Sequence, residues 1–147
     1  MTPDELNVNA VTLDAARELV RACPWVNFTS GLRNWREQAH AMAVNTTKNR
    51  QFCGQVYKHE PMIQQEIDKH PDIQDVTGLT NLIAQALSDL PLDLQRRFAH
   101  PAGRAFDIEV PFPAWQTPTV NAIHRLPRLQ IFLEGEAGLP IWHCQFE

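Results

Sequence analysis

HPAGRAFDIEV, residues 100–110, sets a histidine in a Pro/Gly turn and an aspartate seven residues later inside an apolar run. Read as a strand, Phe106, Ile108 and Val110 point to one side, and Ala105, Asp107 and Glu109 to the other. A carboxylate beside a core strand is costly unless something pairs with it. A metal ion is one such partner, provided the rest of the chain supplies further ligands.

Downstream, PFPAWQTP (111–118) reads as a proline-rich loop, and about Val120 to Glu134 as a helical stretch broken at Pro127. IWHCQFE (141–147) closes the sequence as a strand, with Ile141, His143 and Gln145 on one face and Trp142, Cys144 and Phe146 on the other. Upstream, Leu79, Leu82, Ile83, Ala86, Leu87 and Leu90 form a helical stripe stopped by Pro91. Pro61 suits the first turn of a helix that runs to about His70-Pro71, and a further helix is expected from Trp35 to about Lys48. VNFTSGLR (26–33) alternates like a strand leading into a Ser-Gly turn. Leu13, Ala16, Leu19 and Val20 follow helical spacing, with Thr12 as the expected cap and an end near Cys23-Pro24. Helices and strands are segregated, which predicts an α+β domain over residues 1–147, built on a small, mainly antiparallel sheet with helices around it.

Hydrophobic residues make up 44% and charged residues 20%, as in an ordinary globular chain, and the length suits one core. Net charge is −4 with no Lys/Arg-rich run, which argues against nucleic acid or an anionic membrane as the main partner. No apolar stretch approaches the roughly 20 residues of a membrane span. MTPDELNVNAV lacks the basic and apolar regions of a secretory signal, so a cytoplasmic product is expected. Three cysteines without metal-type pair spacing read as free thiols.

His100 in its turn, Asp107 on the strand after it and His143 on the last strand would give two imidazoles and a carboxylate. Three protein ligands leave a fourth tetrahedral position open, which is the pattern of a catalytic zinc site. Zinc lowers the pKa of bound water and polarises a carbonyl, so hydrolysis is the natural reaction. The spacing alone is unspecific, because the chain has six histidines and surface or core roles remain open for each. His40, His59, His70 and His124 read as surface or helix-end residues, and Trp35, Trp115 and Trp142 as core or groove wall.

HPAGRAFDIEV resembles the His-x-x-Gly-x-Ala-x-Asp motif of the zinc D-alanyl-D-alanine carboxypeptidases, shared with phage L-alanyl-D-glutamate endolysins and the hedgehog signalling domain. The matching residues here are His100, Gly103, Ala105 and Asp107. FTSGLR (28–33) resembles the family's Ser-Gly-x-Arg segment, and IWHCQFE its final Trp-His strand. The resemblance implies zinc held by His100, Asp107 and His143 at the sheet's edge. It implies substrate contacts from Arg33 and Ser30, with the Arg33 fork on the substrate carbonyl or carboxylate. The implied substrate is a peptidoglycan stem peptide. Without a signal, the route to the wall would be phage or prophage lysis or a secretion system.

The chain departs from the family in three places. The glutamate that serves as general base, usually three residues before the last histidine, is replaced by Pro140. Relatives with the glutamate further upstream make Glu136 the first candidate for that role, ahead of Glu134, Glu109 and Glu147. Phe98 stands where a serine is common, and about residues 36–97 form a long helical insertion between Arg33 and His100. Pro140 keeps open a second reading, a non-catalytic zinc-binding module of the same fold in a virion, tail or signalling role. A zinc hydrolase of an unrelated amide is a third.

Overall fold

The computed structural model describes residues 1–135 and 140–147. Among them, a short 3-10 helix (Pro3–Leu6) precedes α1 (Ala10–Ala22), β1 (Phe28–Ser30), α2 (Trp35–Lys48), α3 (Phe52–Val56), α4 (Pro61–Lys69), α5 (Val76–Asp89), α6 (Leu92–Gln95), β2 (Ala105–Glu109), α7 (Pro113–Ile123), β3 (Leu129–Glu134) and β4 (Ile141–Phe146). The class is α+β, with one antiparallel sheet in the order β1-β2-β4-β3. The chain divides into two compact units, one of residues 1–32 and 99–147 and the other of residues 33–98.

The first unit holds the whole sheet. Strand alternation puts Phe28, Phe106, Ile108, Trp142, Cys144 and Phe146 on one face, buried together with Ala15, Ala16 and Leu19 of α1 and Ile123 of α7. Full burial of each large side chain contributes about 1.5–3 kcal/mol. Phe106 meets Phe28 edge-on at 5.1 Å and Phe146 at 5.3 Å, so β2 is anchored from both sides of its core face. That anchoring fixes the pleat and turns Asp107 to the opposite face.

Two expectations are corrected in this unit. Residues 113–134 are not a loop followed by a broken helix. They form α7, with Pro113 at its first turn and Pro118 inside it, and then the strand β3. Proline suits a first helical turn because its missing N–H would have no intrahelical partner there. After Pro127, Arg128 adopts φ 59°, and the chain turns into an extended run instead of resuming a helix. The cap of α1 is Asn9, whose Oδ1 accepts from Thr12 N at 2.9 Å; Thr12 itself sits buried inside the first turn.

The second unit is helical. Asn34 and Glu37 form a capping box at the start of α2, Asp75 caps α5, and Leu90-Pro91 closes α5. Arg50 donates to the carbonyls of Ile67, His70 and Ile73 at 2.6–2.9 Å, tying down the last turn of α4 and the chain just after it. Buried Gln38 donates from Nε2 to the Tyr57 hydroxyl at 3.0 Å, and Tyr57 and Trp35 both pack on Phe98.

Candidate metal centre

The registers of β2 and β4 decide the site. Asp107 stands directly opposite His143, while Phe106 faces Cys144 and Ile108 faces Trp142. The pair therefore lies on the face away from the aromatic core. On the other side of β2, Ser30 of β1 is paired with Asp107. Asp107 and His143 sit on the two inner strands and not on an edge strand, since β3 lies outside β4 and sets Leu133 opposite His143.

His100 arrives by the turn before β2. Gly103 N donates to His100 O at 3.0 Å and Arg104 N to Ala99 O at 2.9 Å, with Gly103 at φ 66°, a conformation that favours glycine. The turn folds the imidazole back over the strand. His100 Nε2 comes to 3.2 Å from Asp107 Oδ2 and 3.3 Å from Oδ1, and His143 Nδ1 to 2.8 Å from Oδ1. The potential ligand atoms of the three residues lie within 4.8 Å of one another, so the group could hold a metal ion. Asp107 is 2% exposed and His100 6%, and His143 is half-buried.

The donor chemistry fits a cation. Gly31 O lies 2.7 Å from His100 Nδ1 and can only accept, so Nδ1 must carry hydrogen. Nε2 then presents its lone pair to a carboxylate that also has only lone pairs, unless a proton or a metal lies between them. A ligating histidine commonly gives its other N–H to a backbone carbonyl in this way, which fixes the tautomer. Burial alone would push the Asp107 carboxyl up; the His100 and His143 imidazoles beside it outweigh that and hold it well below the usual carboxylate range. Asp107 is thus held as an anion by the two imidazoles beside it. Cys144, next to His143 in sequence, points into the core, and burial pushes its thiol up, with Asp107 adding to the rise.

Arg33 is the first residue of the helical unit and donates from Nη1 to Gln38 Oε1 at 3.5 Å. Glu136 lies outside the described residues. Of the alternative carboxylates, Glu109 shares the pleat face of Asp107 and is exposed, whereas Glu134 pairs with Trp142 and so belongs to the other face. Pro140 is exposed and directly precedes β4. His40, His59 and His124 are exposed, His70 is half-buried at the end of α4, and the three cysteines are free and buried. Trp142 is buried, while Trp35 and Trp115 are 38% and 42% exposed.

No family model, curated protein or solved structure matches the chain. Among the described residues, no helix is long and apolar enough to cross a membrane. The residue that sequence reasoning passed over is Gly31, whose carbonyl orients His100. The Ser-Gly turn marked its place, but a backbone acceptor has no side-chain pattern to give it away.

Proposed function

We propose that the chain is a zinc-dependent peptidase that hydrolyses peptidoglycan stem peptides at an amide next to a D-amino acid, as a D-alanyl-D-alanine carboxypeptidase or an endolysin-type endopeptidase. The observation that carries this reading is the convergence of His100 Nε2, Asp107 and His143 Nδ1 on one point, with the His100 tautomer set by Gly31. His100, Asp107 and His143 would hold the metal. Bound there, zinc would polarise the scissile carbonyl and lower the pKa of a water molecule. Ser30, beside Asp107, is a substrate-binding candidate. Arg33 takes the substrate carbonyl or carboxylate by the resemblance of its Ser-Gly-x-Arg segment. The general base is unassigned: Glu136 is the first candidate by the same resemblance, and Glu109 is a described carboxylate on the pleat face of Asp107.

Pro140 favours a second reading, a zinc-binding module without hydrolysis, since proline cannot move a proton. Digestion of purified muropeptides and defined stem peptides separates the two. Zinc-loaded protein should release a D-amino acid or a cleaved stem peptide, and a chelator should abolish release. Full zinc loading with no cleavage across about pH 5–9 would establish the binding module. Cleavage at unchanged rate with the metal removed would end the metallopeptidase reading.

A further inference from the structure

We infer that the segment Pro3–Asn9 is a strap that positions His100 for metal binding, acting through Gly31 and Gly103. This inference rests on the metal reading of His100, Asp107 and His143, and not on peptidase activity.

The strap touches both supports of the His100 ring. On one side, Leu32 N donates to Leu6 O at 2.9 Å, which holds the Ser-Gly turn against the strap. The contact is so close that a Cβ on Gly31 would lie 2.8 Å from Leu6 Cβ, 2.9 Å from Leu6 Cα, and nearer still to the Leu6 carbonyl oxygen. Backbone cannot swing away like the end of a flexible side chain, so the turn or the strap would have to shift. Leu6 is 1% exposed and belongs to the core of α1 and the sheet, which pins the strap in place. On the other side, Asn9 N donates to Gly103 O at 3.0 Å, and a Cβ on Gly103 would stand 3.2 Å from Asn9 N. Gly103 closes the turn on His100 O, while Gly31 O takes the Nδ1 hydrogen at 2.7 Å.

One segment thus sets both the backbone position of His100 and the carbonyl that selects its tautomer. Moving Gly31 O by a few tenths of an ångström weakens the bond that presents Nε2 to the metal. Loss of such an outer partner typically costs about 10–100-fold in metal affinity. Leu6, Asn9, Gly31 and Gly103 are positioning residues; none of them needs to touch the metal.

The test is zinc affinity by competition with a chromophoric chelator, with each metal-free variant checked by circular dichroism. Gly31→Ala is expected to weaken zinc binding by about 10–100-fold in a chain that remains folded. It should also change the visible spectrum of the cobalt-loaded protein, which a merely structural role would leave alone. A chain lacking residues 1–8 should bind zinc comparably weakly. Adding Gly31→Ala to it should cost no more than about twofold further, because the collision partner is gone.

A second arm needs no truncation. Asn9 has φ −65°, which proline adopts freely. Asn9→Pro and Asn9→Ala both lose the cap of α1, but only the proline loses the N–H bonded to Gly103 O. The proline variant should bind zinc at least about tenfold more weakly than the alanine variant. Wild-type affinity in Gly31→Ala, equal affinity in the two Asn9 variants, or full multiplication of the truncation and glycine effects would each overturn the strap. A wild-type chain that binds no zinc would overturn the metal reading itself, and the strap with it.

Discussion

Removing zinc should destabilise the fold. An ion bound only by the folded state and present at about 1,000 times its Kd stabilises that state by about 4 kcal/mol. Unfolding entropy near 2.1 cal/mol/K per residue gives roughly 0.3 kcal/mol/K for a chain of 147 residues. The corresponding fall in Tm is about 13 °C. Should the two units melt separately, the shift belongs to the transition of residues 1–32 and 99–147.

The pH dependence follows from Asp107. Burial raises its pKa, but the His100 and His143 imidazoles lower it further, so the folded value is depressed. A depressed carboxyl contributes stability that is present above its ordinary pKa near 4 and lost as pH falls through the folded value. Between pH 5.5 and 8 it is therefore charged in both states, so its contribution is constant there and falls only as pH drops below about 4. Calorimetry with and without chelator, with zinc content measured in parallel, checks the shift. Asp107→Asn should show little chelator response. A shift under about 2 °C with zinc loss confirmed, or an equal shift in Asp107→Asn, would refute the coupling of this site to stability.

The general base is tested by Glu136→Gln and Glu109→Gln in zinc-loaded protein. The variant that removes the base should lose about 10²–10⁴-fold in cleavage while keeping zinc, and two unaffected variants would exclude both residues. The thiols should be inert in the folded chain. Cys53 is 1% exposed, and burial, offset in part by a hydrogen bond with Thr46, pushes it up to about 11. Cys23 and Cys144 are also buried and raised. Less than about one thiol should react with a disulfide reagent at pH 8, and all three in denaturant; prompt reaction of the native chain would contradict the packing.

Legibility in the sequence followed the strength of local pattern. GRAFDIEV and IWHCQFE alternate cleanly, and both contain strands with the expected residues on each face, except that Val110 lies beyond β2 and is exposed. The stripe from Leu79 to Leu87 and the flanking prolines marked α5 and α4 in the same way. LQIFLE failed because it is only partly alternating: Ile131 is exposed on one side, Phe132 and Leu133 are half-buried on both, and a register irregularity follows Leu129. Such an edge strand is held by the backbone of β4, a long-range fact with no local trace. Thr12 failed as a cap for a related reason. Asn9 and Thr12 are both capping residues by type, and the hydrogen bond from Asn9 N to Gly103 O, which links distant segments, helps place Asn9 ahead of the helix. For the site, His100, Asp107 and His143 were visible as residue types. Their convergence depends on a β2–β4 register and a turn that only folding supplies.

The number of donors bears on the choice between peptidase and inert module more directly than Pro140 does. A zinc ion kept for stability alone is almost always closed by four protein ligands. Among the described residues, the group that converges here has three: His100, Asp107 and His143. It is also not sealed, since the His143 side chain keeps 13% of its surface exposed beside an Asp107 at 3%. Were zinc held by these three donors, a fourth position would be open to a water molecule or a substrate oxygen. Pro140 removes a proton acceptor from one place in the chain. It does not remove the requirement, which is geometric: any carboxylate that reaches the open flank satisfies it. Glu109, two residues from Asp107 on the same pleat face and exposed, already lies on the side of the sheet that carries Asp107 and His143. The donor set is thus compatible with the proposed hydrolysis, and the proline bears only on which residue would take the proton.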